Sequence, residues 1–221
     1  MPASSSQPAE EGHQSRVSVP WLIVGLGNPG ANYASHRHNV GYLVVDELLA
    51  RVGGALRMHK SRRAEVYEGR LRKDPTADSS VRVIFARSRS YMNESGPGVA
   101  DLASFYKIPP EHLVVIHDEL DIAFPHLRVK SGGGDNGHNG LRSIRATLGS
   151  GDFLRVRLGI GRPTTPQPVP EYVLSPHTRL ERDALPHQLT SGADAVVSLV
   201  TRGLNVTQNA FNGPNSAGTS N

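Results

Sequence analysis

The chain has 221 residues and no cysteine, which excludes disulfides and leads us to expect one domain around one sizeable core. With 24 Lys+Arg against 20 Asp+Glu the net charge is +4, which permits a polyanionic partner without requiring one. No apolar run approaches the roughly 18–20 residues of a membrane span, and Met1 to Pro20 lacks the apolar centre of a signal peptide, so a cytoplasmic protein with no membrane contact is expected.

Residues 1–19 are rich in Ser, Pro, Gln and Glu and are expected to be a disordered extension; 212–221 are polar and nearly uncharged and are expected to be a disordered tail, leaving 20–211 as the domain. Trp21-Leu22-Ile23-Val24 reads as a buried first strand. From Val40, the apolar residues Val40, Leu43, Val44, Leu48 and Val52 fall at helical spacing, and Gly53-Gly54 supplies a stop. Residues 64–71 and 81–86 read as paired strands joined by the turn-forming stretch from Lys73 to Ser80. After Asn93, the positions Val99, Leu102, Ala103 and Tyr106 mark a second helix, which Pro109-Pro110 should end. Leu113 to Ile116 is another buried strand; 127–130 and 153–160 are further strands, with a helix over 139–148 between them. The proline-rich stretch from Arg162 to Pro170 reads as a surface connection or cover. Helix should resume at Ser175-Pro176 and be bent or split at Pro186. Strands alternating with helices and no internal repeat give an α/β sheet protein.

Chemistry-bearing residues concentrate in the loops. His38 lies in Ser35-His36-Arg37-His38-Asn39-Val40-Gly41, between the first strand and the first helix. Further along come Tyr91-Met92-Asn93, His117-Asp118-Glu119 and Gly137-His138-Asn139-Gly140, each beside an apolar run, an arrangement that suggests a hydrolase. Gly25-Leu26-Gly27-Asn28-Pro29-Gly30 fits a dinucleotide-binding glycine pattern, but its context does not. No helical period starts inside the glycines, and the acids about 20 residues on, Asp46 and Glu47, fall within the helical pattern instead of ending a second strand.

Six motifs in order carry a resemblance: GLGNPG at 25–30, RHNVG at 37–41, MN at 92–93 with Ser95-Gly96, HDELD at 117–121, GGGDNGHNGL at 132–141, and the run from Arg155 to Pro163. With Tyr33 they make the chain resemble the bacterial-type peptidyl-tRNA hydrolases over roughly 20–211. The resemblance implies a monomeric, single-domain α/β fold with a mixed, twisted β-sheet surrounded by α-helices. It also implies a carboxylic ester hydrolase that frees peptide and tRNA from peptidyl-tRNA, with no metal or organic cofactor. By the same resemblance Asn28, Asn93 and Asn139 line the pocket, Tyr33, Tyr91 and Met92 line the substrate channel, and Lys130 and Arg157 grip the phosphate at the 5′ end of the acceptor stem. Three residues depart from the family's habit: His36 for a small hydroxyl or amide, Tyr91 for phenylalanine, and Ser88 for proline.

The residues support this chemistry independently. Ester hydrolysis near neutral pH needs a base that titrates there, and His38 suits the task. Asp118, at the end of a buried strand, is the candidate to orient it, and without a cysteine, direct attack by water is preferred over an acyl-enzyme. Neutral amides at Asn28 and Asn93 are assigned to the peptide carbonyl and His38, and Asn139 to the water and ribose. Taken alone, Asn39 and Asn139 read as helix caps, His117 and His138 as loop-fixing residues, His36 as solvated, Tyr91 and Phe105 as core, and Arg142 with Arg145 as a basic face. Two other functions stay open: an RNA-binding relative without catalysis, and a metal-dependent hydrolase using His36, His38 and His117-Asp118-Glu119.

Overall fold

A computed structural model describes residues 19–72 and 79–213. Its frame is a seven-stranded mixed sheet ordered β2-β3-β4-β1-β5-β7-β6, built from β1 (Trp21–Gly25), β2 (Arg57–Met58), β3 (Ala64–Arg72), β4 (Ser80–Ser88), β5 (Leu113–Glu119), β6 (Leu127–Ser131) and β7 (Leu154–Gly159). β1 runs parallel to β4 and β5, and β5 parallel to β7, while β2, β3 and β6 are antiparallel to their neighbours. The central strands are apolar on both faces, as a sheet covered on both sides requires. Along β1, Ile23 enters a core shared with α1 (Val40–Val52) and α5 (Arg179–Arg202), whereas Leu22 and Val24 enter a second core under α2 (Ser95–Tyr106) and α3 (Asn139–Leu148).

The parallel register brings the carboxyl ends of β1, β4 and β5 to one edge, with Gly25 opposite Arg87 on one side and Ile116 on the other. The loops carrying Asn28 and Asn93 therefore meet Asp118 at this edge, where open α/β sheets place their ligands. Helix α1 approaches the edge closely because two glycines face each other. A Cβ on Gly41 would overlap the carbonyl oxygen of Ile116, and one on Gly25 the carbonyl oxygen of Gly41.

Several elements differ from expectation. β5 continues through Glu119, so Asp118 lies within the strand. The short edge strand β2 was not foreseen, and α2 ends at Tyr106 with Lys107 in the left-handed conformation, before the prolines. The proline-rich connection holds the start of a short helix, α4 (Val169–Val173), because Pro170 fits a first helical turn. Helix α5 starts after Thr178 instead of Ser175, since Thr178 and Glu181 form a reciprocal capping box. Pro186 neither splits nor ends α5, whose later turns bury Ala193, Val196 and Leu199; the break comes at Gly203 (φ 86°), before α6 (Leu204–Phe211). At the end of the domain, Asn212 accepts from the Val129 amide (2.7 Å) and donates to its carbonyl (2.8 Å), so it belongs with the folded part. The turn expected over 73–80 lies mostly outside the described residues, as do 1–18 and 214–221.

Gly41→Ala should destabilise the protein by about 1–3 kcal/mol, because the new methyl meets backbone and not a movable side chain. Urea denaturation reads this directly, and an unchanged midpoint would refute the close approach.

Candidate active site

His38 sits in a 3₁₀ turn (Arg37–Asn39) leading into α1, and Asp118 projects from β5 beneath it. Both are buried, with His38 8% and Asp118 3% exposed. His38 Nδ1 lies 2.8 Å from Asp118 Oδ1, so Nδ1 carries the proton and Nε2, which has no partner among the described residues, is left for the cavity. Burial disfavours the imidazolium, but the charge and hydrogen bond of Asp118 outweigh it and lift the His38 pKa above its ordinary value.

A second imidazole shares the same oxygen. His138 Nε2 is 3.0 Å from Asp118 Oδ1, while its Nδ1 accepts from the amides of Gly140 (3.1 Å) and Leu141 (3.4 Å). Accepting at Nδ1 fixes the tautomer, so Nε2 donates to the carboxylate and His138 caps α3. Burial pushes the Asp118 pKa up, but the two imidazoles and their hydrogen bonds hold it well below the usual carboxylate range. His117 is structural, as read from the sequence: its Nδ1 donates to the Asp118 carbonyl at 2.7 Å, and burial followed by the nearby His138 drives its pKa far down.

The cavity measures about 500 Å³. Its walls include His38, Asp118, Asn28, Asn93, Asn139, Tyr33, Tyr91 and Met92, so the structure brings together these sequence-selected residues, with Val169, Pro170, Val173 and Leu174 as a further wall. Lys130 and Arg157 do not line it; they lie on the adjacent antiparallel strands β6 and β7. Arg157 donates twice to Glu119 Oε2, from Nε (3.1 Å) and Nη2 (2.9 Å). Lys130 is near enough to Arg157 and Arg155 that burial and these cations lower its pKa. Arg155 is buried and donates to the carbonyls of Gly133 and Gly134, anchoring the glycine loop from below.

Two of the asparagines near the cavity are engaged in protein contacts. Asn28 Oδ1 accepts from the Met92 amide (2.8 Å), leaving only its NH₂ for a ligand, and neither Asn28 nor Asn93 bonds His38. Asn39 makes no capping bond; its amide accepts from Asn28 N and donates to Asn28 O, both at 2.9 Å. Tyr91 is 54% exposed at the cavity mouth, edge-on to Tyr33 at 6.1 Å, and Phe105 is likewise not core. His36 is half-buried and bridges to Pro176, and burial followed by the charge of His38 lowers its pKa. Asp135 offsets the basic face by pairing with Arg145 (3.0 Å) and Arg142 (3.6 Å). His138 as a partner of Asp118, and the roles of Asn39 and Glu119, were missed, because these pairings join residues 20, 11 and 38 positions apart respectively and leave no local sequence signal.

The family model described as peptidyl-tRNA hydrolase matches residues 22–219. The chain belongs to the peptidyl-tRNA hydrolase family. It is 52% identical over 192 residues to the peptidyl-tRNA hydrolase of Frankia alni, covering 87% of this chain and 93% of that one. To the Streptomyces coelicolor peptidyl-tRNA hydrolase it is 49% identical over 196 residues, 89% and 96% of the two chains. The crystal structure of the Acinetobacter baumannii peptidyl-tRNA hydrolase superposes with a TM-score of 0.76 at 34% identity, over 88% of this chain and 95% of that one. The mixed sheet with surrounding helices is thus the peptidyl-tRNA hydrolase fold. Among the described residues, no helix is long and apolar enough to cross a membrane.

The raised His38 pKa has a readable sign. A base must be unprotonated, so the acid limb of kcat/KM should lie above the ordinary imidazole pKa of about 6.5. Asp118→Asn should move that limb to lower pH while reducing the plateau; a limb that stays in place would break the link between the two residues.

Proposed function

We propose that this chain performs its family's reaction, hydrolysis of the ester between a peptide and the terminal ribose of its tRNA, with His38 as general base. The observation that carries this reading is the buried His38–Asp118 contact of 2.8 Å through Nδ1, on an imidazole that lines the cavity. In the first step Nε2 takes a proton from water as the water oxygen attacks the ester carbonyl carbon, giving a tetrahedral oxyanion beside an imidazolium. Asp118 steadies that imidazolium, and His138 holds Asp118. The intermediate then collapses: the bond to the ribose oxygen breaks, that oxygen receives the proton from His38, and the products are a free peptide carboxyl and an intact tRNA hydroxyl.

Amide NH₂ groups of Asn28, Asn93 and Asn139 on the cavity wall are donors for the oxyanion, the peptide and the ribose, and they add no charge. Tyr33, Tyr91 and Met92 offer rings and a thioether to the terminal nucleotide and peptide. Lys130 and Arg157 take phosphate on β6 and β7, with Glu119 presenting Arg157. The working unit is the domain over 20–211 extended by Asn212, acting as a cytoplasmic monomer on peptidyl-tRNA.

A metal reading has its own observation, because ligand atoms of His38, Asp118 and His138 lie within 4.8 Å of one another. The donor set fits poorly. The two imidazole–carboxylate contacts are 2.8 and 3.0 Å and converge on one oxygen, which is hydrogen-bond geometry; a tetrahedral zinc bonding each at roughly 2.0–2.2 Å would hold its ligands farther apart. Intact His38, Asp118 and asparagines likewise favour catalysis over RNA binding alone.

His38→Gln should lower kcat on N-acetylated aminoacyl-tRNA by about 10²–10⁴-fold, with wild-type activity surviving EDTA. Full activity in a folded His38→Gln protein, or its abolition by chelation with rescue by zinc, would overturn the reading. Lys130→Ala should weaken tRNA binding and reduce the salt slope by about one charge-equivalent. Unchanged affinity and slope would remove Lys130 from the interface.

A further inference from the structure

We infer that Arg37 is a positioning residue that fastens α4, a wall of the cavity, to the segment carrying His38. As a role in turnover this rests on the hydrolase reading above; as an anchor it stands on geometry alone. Arg37 is 4% exposed and immediately precedes His38. Its Nε and Nη2 donate to Glu181 Oε1 (3.1 Å) and Oε2 (2.6 Å), and its Nη1 donates to Ser175 Oγ (2.6 Å) and the Pro176 carbonyl (2.9 Å). The guanidinium lies over the Tyr172 ring, 4.4 Å from its centroid, and the Tyr172 hydroxyl donates to the Ile160 carbonyl at 2.6 Å. Two backbone bonds, Arg37 N to Ser175 O (3.2 Å) and His177 N to Ser35 O (3.3 Å), close an isolated antiparallel bridge around His36 and Pro176.

These contacts converge on one short stretch. Helix α4 has five residues, too few to be stable by its own hydrogen bonds, and of them only Val173 is buried. Yet Val169, Pro170, Val173 and the following Leu174 face the cavity that His38 also lines. They are held there by the Arg37 fork, stacked on Tyr172 and bonded to Ser175 and Pro176, together with the two backbone bonds and the Tyr172–Ile160 bond, while Glu181 ties the same guanidinium to the first turn of α5. Lysine has no planar fork and could not meet the carboxylate, the hydroxyl and the ring together.

The orientation of His38 comes from Asp118 on β5, a different element, so the two influences can be separated. Loosening α4 should weaken substrate binding without altering the base. We therefore expect Arg37→Met to raise KM for N-acetylated aminoacyl-tRNA about tenfold, with kcat and the acid limb of its pH profile unmoved. Amide hydrogen exchange provides an activity-independent readout: exchange over 169–178 should quicken while β1, β4 and β5 keep their protection. Glu181→Gln, which keeps the shape but removes the charge facing the guanidinium, should reproduce both effects in smaller measure and serves where Arg37→Met does not fold. Unchanged exchange over 169–178 would overturn the anchor. A fall in kcat with a shifted acid limb and constant KM would overturn the positioning role by showing that Arg37 acts on the base. Wild-type protein without turnover would instead sink the hydrolase reading and leave the exchange result to decide the anchor.

Discussion

The carboxylate of Asp118 is an anion almost wholly removed from water, tolerable only because it is paired and hydrogen-bonded. One of its oxygens accepts from His38 and His138, and each imidazole leads into the start of a helix, α1 and α3 respectively. A single oxygen on the strand next to β1 thereby sets the entry of helices on opposite faces of the sheet. His138 does this with both nitrogens, capping α3 with one and meeting the carboxylate with the other. Replacing it would release a helix cap and a counter-group of Asp118 together, and would also remove the ring that lies 4.9 Å, centroid to centroid, from that of His38.

A second relay fixes the cavity wall around this centre. Asn39, the residue after His38, brackets the Asn28 backbone through two 2.9 Å bonds, and the Asn28 side chain in turn accepts from the Met92 amide. The loops after β1 and β4 are thus tied to the segment of His38 by neutral amides, which satisfy buried backbone groups without adding a charge that would perturb the imidazole. The mutual approach of Gly25 and Gly41 is the packing counterpart of the same arrangement.

What the sequence discloses and what it conceals follow from the range of each interaction. The buried strands, α1 with its glycine stop at Gly53 and the gathering of His38, Asp118 and the three asparagines were legible, because each rests on a local period or an unbroken motif. The start of α5 was misplaced although its capping box is local: Ser175-Pro176 carries the same kind of signal, and only the structure shows Ser175 taken by Arg37. Pro186 misled because the cost of a helical proline is local, while the turns beyond it are held by the core. Arg37 with Glu181, 144 residues apart, and Arg157 with Glu119, 38 apart, were invisible because nothing in either neighbourhood names the partner.

The same bond explains how stability and reactivity are set against each other. Asp118 has a depressed pKa, so its contribution to stability is present above the unfolded carboxylate value and is lost as pH falls through the folded one. His38 has a raised pKa, so its contribution is full below the unfolded imidazole value and fades as pH rises through the folded one. These are two views of one attraction and are not additive. In the proposed mechanism His38 works only when unprotonated, so turnover would take place where the ionic part of this attraction has been given up and a neutral Nδ1–H donor to the carboxylate remains. The proposed proton transfer from water would restore the imidazolium beside Asp118 as the ester carbon becomes tetrahedral. On that mechanism the attraction surrendered in the resting state would return in the transition state, where stabilisation accelerates the reaction instead of deepening the ground state.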